Sequence, residues 1–430
     1  MAISSKGAQT AIERLLERGS AEEIVERLGP VSPEVTPLAT EVPELRNWSA
    51  ESVAKRRELI TKELGRSIPH LSGERTPGDP ALLRGHIEGF IGMTQVPTGL
   101  IGPLRVNGVD ARGDFHVPLA TTEGALVASY HRGALVASRA GGVTSVCLTE
   151  RVQRSPSFTF GTFGECGLFL IWILEHRGEF QQIVATMSSH AKLEEIRPNM
   201  DGNQIALVFE YTTGDAAGQN MVTICTDAIC RFIVEHAPSK PVVWYVEGNL
   251  SGDKKATALS FTSVRGKKVT AECRVPRELV ERMLHTTPEA VMSYWKTSVI
   301  NGVQSGSIGV NGHFANGLAA IFLACGQDVA CVSEASVGTT RFDMIGDGDL
   351  YICVTLPNLI VGTVGGGTSL PTQRECLGIL GCDVDGTARK FAEICAATIL
   401  CGELSIVAAI ATGDFAKAHA LFGRRKGARE

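Results

Sequence analysis

Four ionisable residues stand in short segments rich in small residues, namely Glu123, Lys254, Asp328 and His419. Carboxyl, ammonium and imidazole groups are the ones with which enzymes stabilise developing charge and move protons. Each residue also has a plain structural interpretation. Glu123 would complement a helix dipole, and Asp328 would cap a turn. Lys254 and His419 would be solvated groups of a loop and of a helix end.

The segment from Pro118 to Gly142 predicts a helix around which the rest of the chain is arranged. Thr121 and Thr122 are suitable N-cap residues, Glu123 falls in the first turn, and two glycines end the pattern. Small and apolar residues occupy several faces, which indicates a helix packed on most sides. Burial of the helix start would favour a neutral Glu123 carboxylic acid, whereas the helix dipole and Lys254 would favour its ionised form.

The segment before this helix, Gly89 to Leu104, mixes glycine and proline with apolar residues in the sequence GFIGMTQVPTGLIGPL. This mixture predicts a backbone that turns inside a core. Irregular segments of this kind often line a binding or catalytic site.

Composition excludes several classes of protein. With 44% hydrophobic and 20% charged residues, the 430-residue chain is typical of a globular protein with two or three domains. A net charge of -5 gives no reason to expect nucleic-acid binding. The 12 cysteines follow no zinc or disulfide pattern, so we expect reduced core thiols, no metal and a cytoplasmic location. No G-x-S-x-G segment supports a serine hydrolase.

Two observations argue against a membrane protein. No run approaches the roughly 20 apolar residues of a membrane span, and the most apolar stretch is Leu168 to Leu174. Charged residues near the N-terminus interrupt any signal peptide. We therefore expect no contact with a membrane.

Periodicity divides the chain into further elements. A helix is predicted at about Ser49 to Leu64, opened by Ser49. Apolar runs predict strands at 166–176, 204–213 and 240–248. Further helices are predicted at Glu179 to Met187, Asn220 to Glu235 and Thr387 to Thr412. A strand-helix-strand-strand-helix-strand order predicts a small α+β domain of ferredoxin-like type, inserted into a larger one.

Several segments in the same order resemble the signature blocks of the hydroxymethylglutaryl-CoA reductase family. They are IGMTQVPTGLIGPL, VPLATTEGALVAS, SGDKKATA, ACGQD, GTVGGGTSLPTQ and AKAHALFGR, and they extend from about Gly89 to Arg424. Several blocks in register are far more specific than one short motif. The chain is similar to the catalytic portion of class I-like members.

The resemblance and the pattern together imply an α+β fold. A large, mainly helical domain would surround a central buried helix, and the inserted ferredoxin-like domain would carry a non-Rossmann dinucleotide site. No G-x-G-x-x-G segment follows a strand. The expected parts are a helical region at 1–90, a large substrate-binding domain at 91–155 and 247–420, a small dinucleotide-binding domain at 156–246, and a basic tail at 421–430.

The resemblance implies reductive deacylation of (S)-hydroxymethylglutaryl-CoA to mevalonate and CoA. Two NADPH would be used, with NADH not excluded, through a hemithioacetal and an aldehyde. Lys254 would stabilise charge on the thioester oxygen, and Asp328 would keep its ammonium charged. His419 would protonate the departing thiolate, and Glu123 would supply the proton for the alkoxide of the reduced aldehyde.

Other residues match the family's binding segments. Arg154 would bind the free carboxylate of the substrate, a task that suits a guanidinium. Asn249, Lys255 and Lys296 are further substrate candidates. GDAAGQN and GTVGGGT resemble nucleotide-binding turns, and their candidate residues are Asp215, Gly218, Asn220, Gly365, Gly366 and Gly367. The helix that follows the first turn would offer backbone donors to a pyrophosphate.

One departure from the family motivates an alternative. Glu247 stands where the family usually has a serine, and its charge would repel an anionic substrate unless it turns away or pairs with a cation. The alternative is a relative that keeps the fold and binds acyl-CoA with impaired or altered substrate use. For either function, the family resemblance implies a homodimer or dimer of dimers with shared active sites.

Overall fold

The computed structural model describes residues 5–76 and 78–413. The predicted catalytic residue His419 and the basic tail at 421–430 lie outside the described residues.

The described residues form thirteen α-helices and ten β-strands. The helices are α1 Ser5–Leu16, α2 Ala21–Leu28, α3 Ala50–Leu64, α4 Leu126–Arg139, α5 Phe163–Glu175, α6 Arg177–Met187, α7 Gln219–His236, α8 Arg277–Leu284, α9 Pro288–Gln304, α10 Phe314–Ala324, α11 Val332–Ala335, α12 Pro371–Ile379 and α13 Ala388–Ala411. The strands are β1 Thr98–Gly108, β2 Arg112–Ala120, β3 Val143–Arg154, β4 Ser157–Thr159, β5 Lys192–Asp201, β6 Gln204–Thr212, β7 Val243–Tyr245, β8 Gly266–Val275, β9 Thr339–Ile345 and β10 Asp349–Leu359.

Strand β3 joins two parts of one sheet. Its first residues, from Thr144 to Arg151, pair antiparallel with β8, and its last residues, from Val152 to Arg154, pair with β6. The first part continues through β8, β10 and β9, with β1 parallel to β3 and β2 antiparallel to β1. The second part has the antiparallel order β7-β4-β6-β5. The chain therefore leaves the first part of the sheet at the end of β3 and returns to it at β8, which pairs with β3.

The larger part of the fold is mixed rather than mainly helical, which corrects the sequence prediction. It contains six strands of the sheet, and helices α4 and α13 pack against them. Its most deeply buried element is α13, whose residues from Phe391 to Ser405 are all buried. Helices α4 and α13 approach closely because Gly133 has no side chain. A Cβ atom there would lie 1.9 Å from the carbonyl oxygen of Cys401.

Helix α13 also corrects the prediction that no apolar run approaches a membrane-spanning length. Its 24 residues are long and apolar enough to cross a bilayer, but 78% of its most apolar window is buried inside the protein. It is therefore the core helix of this fold, packed against α4 and the sheet.

The predicted strand at 166–176 is wrong, because this run belongs to helix α5. A continuous apolar run has no clear period, so it fits a buried helix as well as a strand. The helix begins with a capping box, in which Thr162 accepts from the main-chain N–H of Glu165, and the Glu165 side chain accepts from that of Thr162. Strand β5, which precedes β6, was not predicted.

Two predictions about the segment around Glu123 also fail. Helix α4 begins at Leu126, after Ala125 in a left-handed conformation with φ of 72°, so Glu123 precedes the helix instead of lying in its first turn. The segment at 89–97 does not turn inside the core of the single chain, and Ile91 in it is fully exposed. Other predicted elements are confirmed, including α3 with its Ser49 cap, α6, α7, β6 and α13.

All 12 cysteines are free thiols, as predicted, and eleven of them are buried.

Candidate functional site

Two loops bring Lys254 and Asp328 together. Lys254 lies on the loop after β7, and Asp328 follows α10. The Nζ atom of Lys254 lies 2.9 Å from Oδ2 of Asp328, and the two side chains are 44% and 42% exposed. The hydrogen bond with Asp328 raises the pKa of Lys254, which keeps its ammonium charged. The pair therefore presents an oriented cation at an accessible surface, as stabilisation of an oxyanion requires.

The loop that carries Lys254 has an unusual backbone. Asn249, Gly252 and Lys254 have φ angles of 68°, 72° and 56°. For the two non-glycine residues, this left-handed conformation costs about 1 kcal/mol or more each, and it persists only where surrounding contacts hold it. The main-chain N–H of Lys254 donates to Oε1 of Glu334 at 3.1 Å. That of Asn249 donates to Oε1 of Glu247 at 2.7 Å.

Beneath the loop lies a chain of alternating charges, here called the charge chain, formed by Arg154, Asp253, Arg265 and Glu334. Asp253 accepts from Nη1 of Arg154 at 2.8 Å and from Nη2 of Arg265 at 2.6 Å. Nη1 of Arg265 donates to both carboxylate oxygens of Glu334. Both side chains of this last pair are buried, with residue exposures of 1% and 0%.

The pKa values of the two carboxyl groups in the charge chain shift in opposite directions. Burial opposes ionisation of Asp253, but Arg265 and Arg154 overcome it and lower the pKa of this carboxyl. Burial raises the pKa of Glu334, and Arg265 only partly offsets the effect. Sequence reasoning did not single out Arg265 or Glu334. No local signal could have found them, because their contact joins positions 69 residues apart.

Arg154 lies at the end of β3, where the sheet passes from one part to the other. It is 7% exposed, so it is not a surface charge. Its Nε atom donates to Oγ1 of Thr223 at 2.7 Å, and Nη2 donates to the carbonyl of Gln219 at 3.4 Å. Both partners belong to α7. Arg154 therefore connects α7 with the loop of Lys254 through Asp253.

Glu247 turns its carboxylate into its own loop. Besides the N–H of Asn249, it accepts from the main-chain N–H of Ser155 at 3.3 Å and from Oγ of Ser251 at 3.1 Å. Nη1 of Arg154 lies 3.7 Å from Oε2 of Glu247. Both conditions under which this charge would not repel a substrate are therefore met, since the side chain faces inward and lies beside a cation.

Glu123 lies apart from this pair within the single chain. Its side chain is exposed, its main-chain N–H donates to Oγ1 of Thr121 at 3.0 Å, and its Oε1 accepts from Nδ2 of Asn316 at 3.4 Å. Asn316 is near the start of α10, whereas Asp328 follows its end. Eleven residues of α-helix span roughly 16 Å. Among the described residues, no ion pair joins Glu123 to Lys254.

The structure brings the two predicted nucleotide-binding turns together. The carbonyl of Asp215 accepts from the N–H of Thr363 at 2.8 Å, and Ala216 forms a β-bridge with Val364. The second turn also contacts the segment before Asp328. There the Gln327 side chain donates to the carbonyl of Gly362 at 3.0 Å and accepts from its N–H at 2.9 Å. The turns and the Lys254–Asp328 pair are thus parts of one region.

Within these turns, glycine is needed for different reasons. Gly218 has a φ of 76° just before α7, and a Cβ atom there would lie 2.4 Å from the Thr213 side chain. Gly367 packs against Gly326, where a Cβ atom would lie 2.3 Å from the Gly367 carbonyl oxygen. Gly365 and Gly366 have φ angles of 78° and 54° and no neighbour within 4 Å of such an atom, which leaves open space beside this turn.

Asp215 and Asn220 have distinct surroundings. The carboxylate of Asp215 accepts from the N–H groups of Gly386 and Ala388 at 2.5 Å and 3.0 Å, so it caps the start of α13. Asn220 is the second residue of α7 and is exposed. The first N–H groups of a helix have no partner within it, and at α7 they adjoin the paired turns.

The other candidates are less closely tied to the pair. Nζ of Lys255 donates to the carbonyl of Asp253 at 2.9 Å, within the loop. Lys296 is exposed on α9, and no hydrogen bond or ion pair joins it to that loop in the part of the chain that the structure describes. His419 lies outside the described residues. Within residues 5–76 and 78–413, no group of three or more metal-ligating side chains could hold a metal ion.

Comparison with known proteins identifies the relatives of this chain. The profile described as hydroxymethylglutaryl-coenzyme A reductase matches residues 52–424. The 3-hydroxy-3-methylglutaryl-coenzyme A reductase of Pyrococcus abyssi is 44% identical over 377 residues, which are 86% of this chain and 92% of that protein. The reductase of Methanothermobacter thermautotrophicus is 42% identical over 376 residues, 87% of this chain and 94% of that protein.

A solved structure shares the fold. It is the class II 3-hydroxy-3-methylglutaryl-CoA reductase from Streptococcus pneumoniae, bound to NADPH in open conformations. It superposes with a TM-score of 0.67 at 18% identity, covering 85% of this chain and 99% of that one. The profile match spans the loops described above and these relatives align over most of the chain, and this chain therefore belongs to the hydroxymethylglutaryl-coenzyme A reductase family of oxidoreductases.

Proposed function

We propose that this chain catalyses reductive deacylation of (S)-hydroxymethylglutaryl-CoA to mevalonate and CoA, with two NADPH oxidised for each CoA released. The observation that carries the proposal is the Lys254–Asp328 pair, an oriented ammonium on a strained loop next to the two paired glycine turns. A thioester oxygen that gains negative charge needs such a fixed cation. Assignment to the class I-like members of the family stays a prediction.

The protein's own groups account for charge and proton movement in the proposed reaction. Bound NADPH supplies a hydride at each of the two reductions. Lys254 stabilises the oxyanion of the hemithioacetal, and Asp328 keeps that ammonium charged and oriented. His419 donates a proton to the CoA sulfur as the carbon–sulfur bond breaks and the aldehyde forms. Glu123 supplies the proton for the alkoxide formed when the aldehyde is reduced.

The paired turns suit a dinucleotide. Residues 214–218 lead into α7, whose first N–H groups would face a pyrophosphate, and the bare backbone at 365–367 would allow close approach. We propose that residues 156–246 form a small dinucleotide-binding domain of ferredoxin-like, non-Rossmann type. The order β7-β4-β6-β5 with helices between the strands supports it. Residues 91–155 and 247–420 would form the large substrate-binding domain after the helical region at 1–90.

A homodimer or dimer of dimers would complete this site. The proposed acid Glu123 is exposed and lies at the opposite end of α10 from Asp328. The segment before β1 adjoins it, because the carbonyl of Pro97 accepts from the N–H of Thr121 at 3.0 Å, and this segment exposes Ile87, Ile91 and Met93 to 52%, 101% and 46%. Clustered exposed apolar side chains are typical of an interface. We infer that a second copy covers this segment and that Glu123 of the partner subunit faces Lys254.

The alternative of a relative with impaired substrate use depends on Glu247. Its carboxylate faces its own loop and lies near Arg154, so the charge is not directed at a bound acyl group. The reductase proposal is therefore preferred. A cytoplasmic location accompanies it as a proposal.

Purified protein tests the reaction directly. With (S)-hydroxymethylglutaryl-CoA present, the near-ultraviolet absorbance of NADPH should fall while a thiol reagent detects released CoA, in a ratio of two NADPH to one thiol. Acetyl-CoA serves as the control thioester and should give neither signal. Unchanged NADPH absorbance with both substrates present would refute the proposal. Repeating the assay with NADH would establish the cofactor preference.

A further inference from the structure

Glu334 lies beneath the proposed catalytic lysine, and neither the family blocks nor the chemistry of the reaction calls for it. Its carboxylate is fully buried, accepts the main-chain N–H of Lys254 and holds the guanidinium of Arg265. That guanidinium in turn holds Asp253, the residue before Lys254. These contacts close a ring around the peptide bond between residues 253 and 254.

We propose that Glu334, with Arg265, is a positioning residue for Lys254. This inference rests on the proposed function, because it concerns the lysine assigned to the oxyanion. The left-handed φ of 56° at Lys254 needs an external support, and the ring supplies it from the buried side. Without that support, the backbone relaxes to an ordinary conformation and the ammonium moves away from Asp328.

A purely structural role explains the pair less well. A buried ion pair contributes little stability compared with apolar residues of similar volume. Here, however, the acidic member directs an oxygen at one N–H group of a strained loop, and its partner holds the adjacent residue. An apolar pair would fill the same volume without holding either group.

Two variants test the proposal. Glu334→Asp keeps the charge but withdraws the carboxylate by one methylene group. The double substitution Arg265→Met with Glu334→Leu removes the ring but fills the same space with apolar side chains. We therefore expect this variant to fold. The readout is acetylation of the Lys254 amine by an N-hydroxysuccinimide ester at pH 8, measured by peptide mass spectrometry relative to exposed Lys62 on α3.

Loss of the Asp328 contact should raise the acetylation rate of Lys254 relative to Lys62 in both variants. The contact with Asp328 raises the pKa of Lys254, so its loss leaves more of the amine neutral, and we expect the ratio to rise about threefold or more. In the reductase assay, kcat should fall about 10- to 100-fold because a small displacement of a catalytic group has effects of this size. The KM for NADPH should stay within about twofold, because the paired turns are not part of the ring.

Glu393→Gln is the matched control. Glu393 is another fully buried carboxylate that accepts main-chain N–H groups, from Asp110, Ala111 and Cys147, but on α13. The Glu393→Gln variant should have a lower thermal stability and an unchanged ratio of Lys254 to Lys62 acetylation. An unchanged ratio in the folded double variant, or an equal change in Glu393→Gln, would overturn the proposal. Because acetylation needs no substrate, this result is independent of whether the chain reduces the thioester.

Discussion

The two halves of the proposed reaction centre are built differently. Lys254 and Asp328 form an ion pair within one chain, supported from below by the charge chain. Glu123 lies on an exposed turn before α4, where its polar contacts within the described residues are with Thr121 and Asn316. One half is therefore fixed by the fold of a single subunit, and the other still needs a surface to pack against.

This difference indicates how the chemistry would be divided. A cation that must be in place before the oxyanion forms benefits from a rigid, buried support. A proton donor benefits from exclusion of water, which an assembled interface would supply at Glu123. Activity would then depend on assembly even though each chain already contains the cation.

The largest expected effect is at the supported half. Lys254→Ala should lower kcat about 10²- to 10³-fold, because removal of one group that stabilises an oxyanion has effects of this size. Steady-state oxidation of NADPH measures it. Lys62→Ala removes an exposed lysine from α3 and should leave kcat unchanged. A loss of less than about tenfold at Lys254 would show that the supported half is not where the oxyanion is stabilised.

The other half can be tested by complementation. Glu123→Ala and Lys254→Ala chains should each be nearly inactive, but a heterodimer of the two would contain one intact site. Co-expression with two affinity tags and tandem purification isolates that heterodimer. If the sites are shared, its activity should be roughly half that of the wild-type dimer. Activity no higher than that of either parent would place Glu123 and Lys254 of one chain in the same site. Both halves of the reaction centre would then belong to a single subunit.

The same contrast explains what could be predicted from sequence. Segments whose local pattern decides their structure were predicted, such as α3 with its Ser49 cap and strand β6. The start of α4 was misplaced because two threonines resembled a cap, whereas the chain makes a left-handed turn at Ala125 first. The charge chain could not be predicted, because the contact of Arg265 with Glu334 exists only in the folded chain.

Helix α5 shows a different limit. Its apolar run was assigned to a strand, although Thr162 and Glu165 carry the S/T-x-x-E spacing of a capping box. That signal was present in the sequence and outweighs an apolar run without a clear period. The exposed segment at 89–97 is different again, since nothing in a sequence shows whether its own chain or another copy covers an apolar residue.

The paired turns contact each other within one chain, so a change there should act mainly on binding of the proposed dinucleotide. Gly218→Ala places a Cβ atom 2.4 Å from the Thr213 side chain at a φ of 76° and should distort the start of α7. We expect the KM for NADPH to rise about tenfold, a loss of roughly 1.4 kcal/mol of binding. Gly214→Ala is the matched control, because its φ is also positive, 61°, but nothing lies within 4 Å. Equal effects of the two changes would mean that contact with Thr213 is unimportant.

The smallest expected effect is at Glu247, which belongs to the supported half. If its carboxylate serves the loop, Glu247→Ser loses contacts to Ser155, Asn249 and Ser251 and should lower kcat/KM for the thioester substrate. The expected loss is about two- to fivefold, because the net contribution of a hydrogen bond is small and the ring around Lys254 remains. Glu247→Gln, which keeps an acceptor of the same length, should lose less. The opposite result is equally informative. A rise of about tenfold in Glu247→Ser would mean that the carboxylate repels the substrate, in which case the rigid support of Lys254 belongs to a site adapted to a different acyl group.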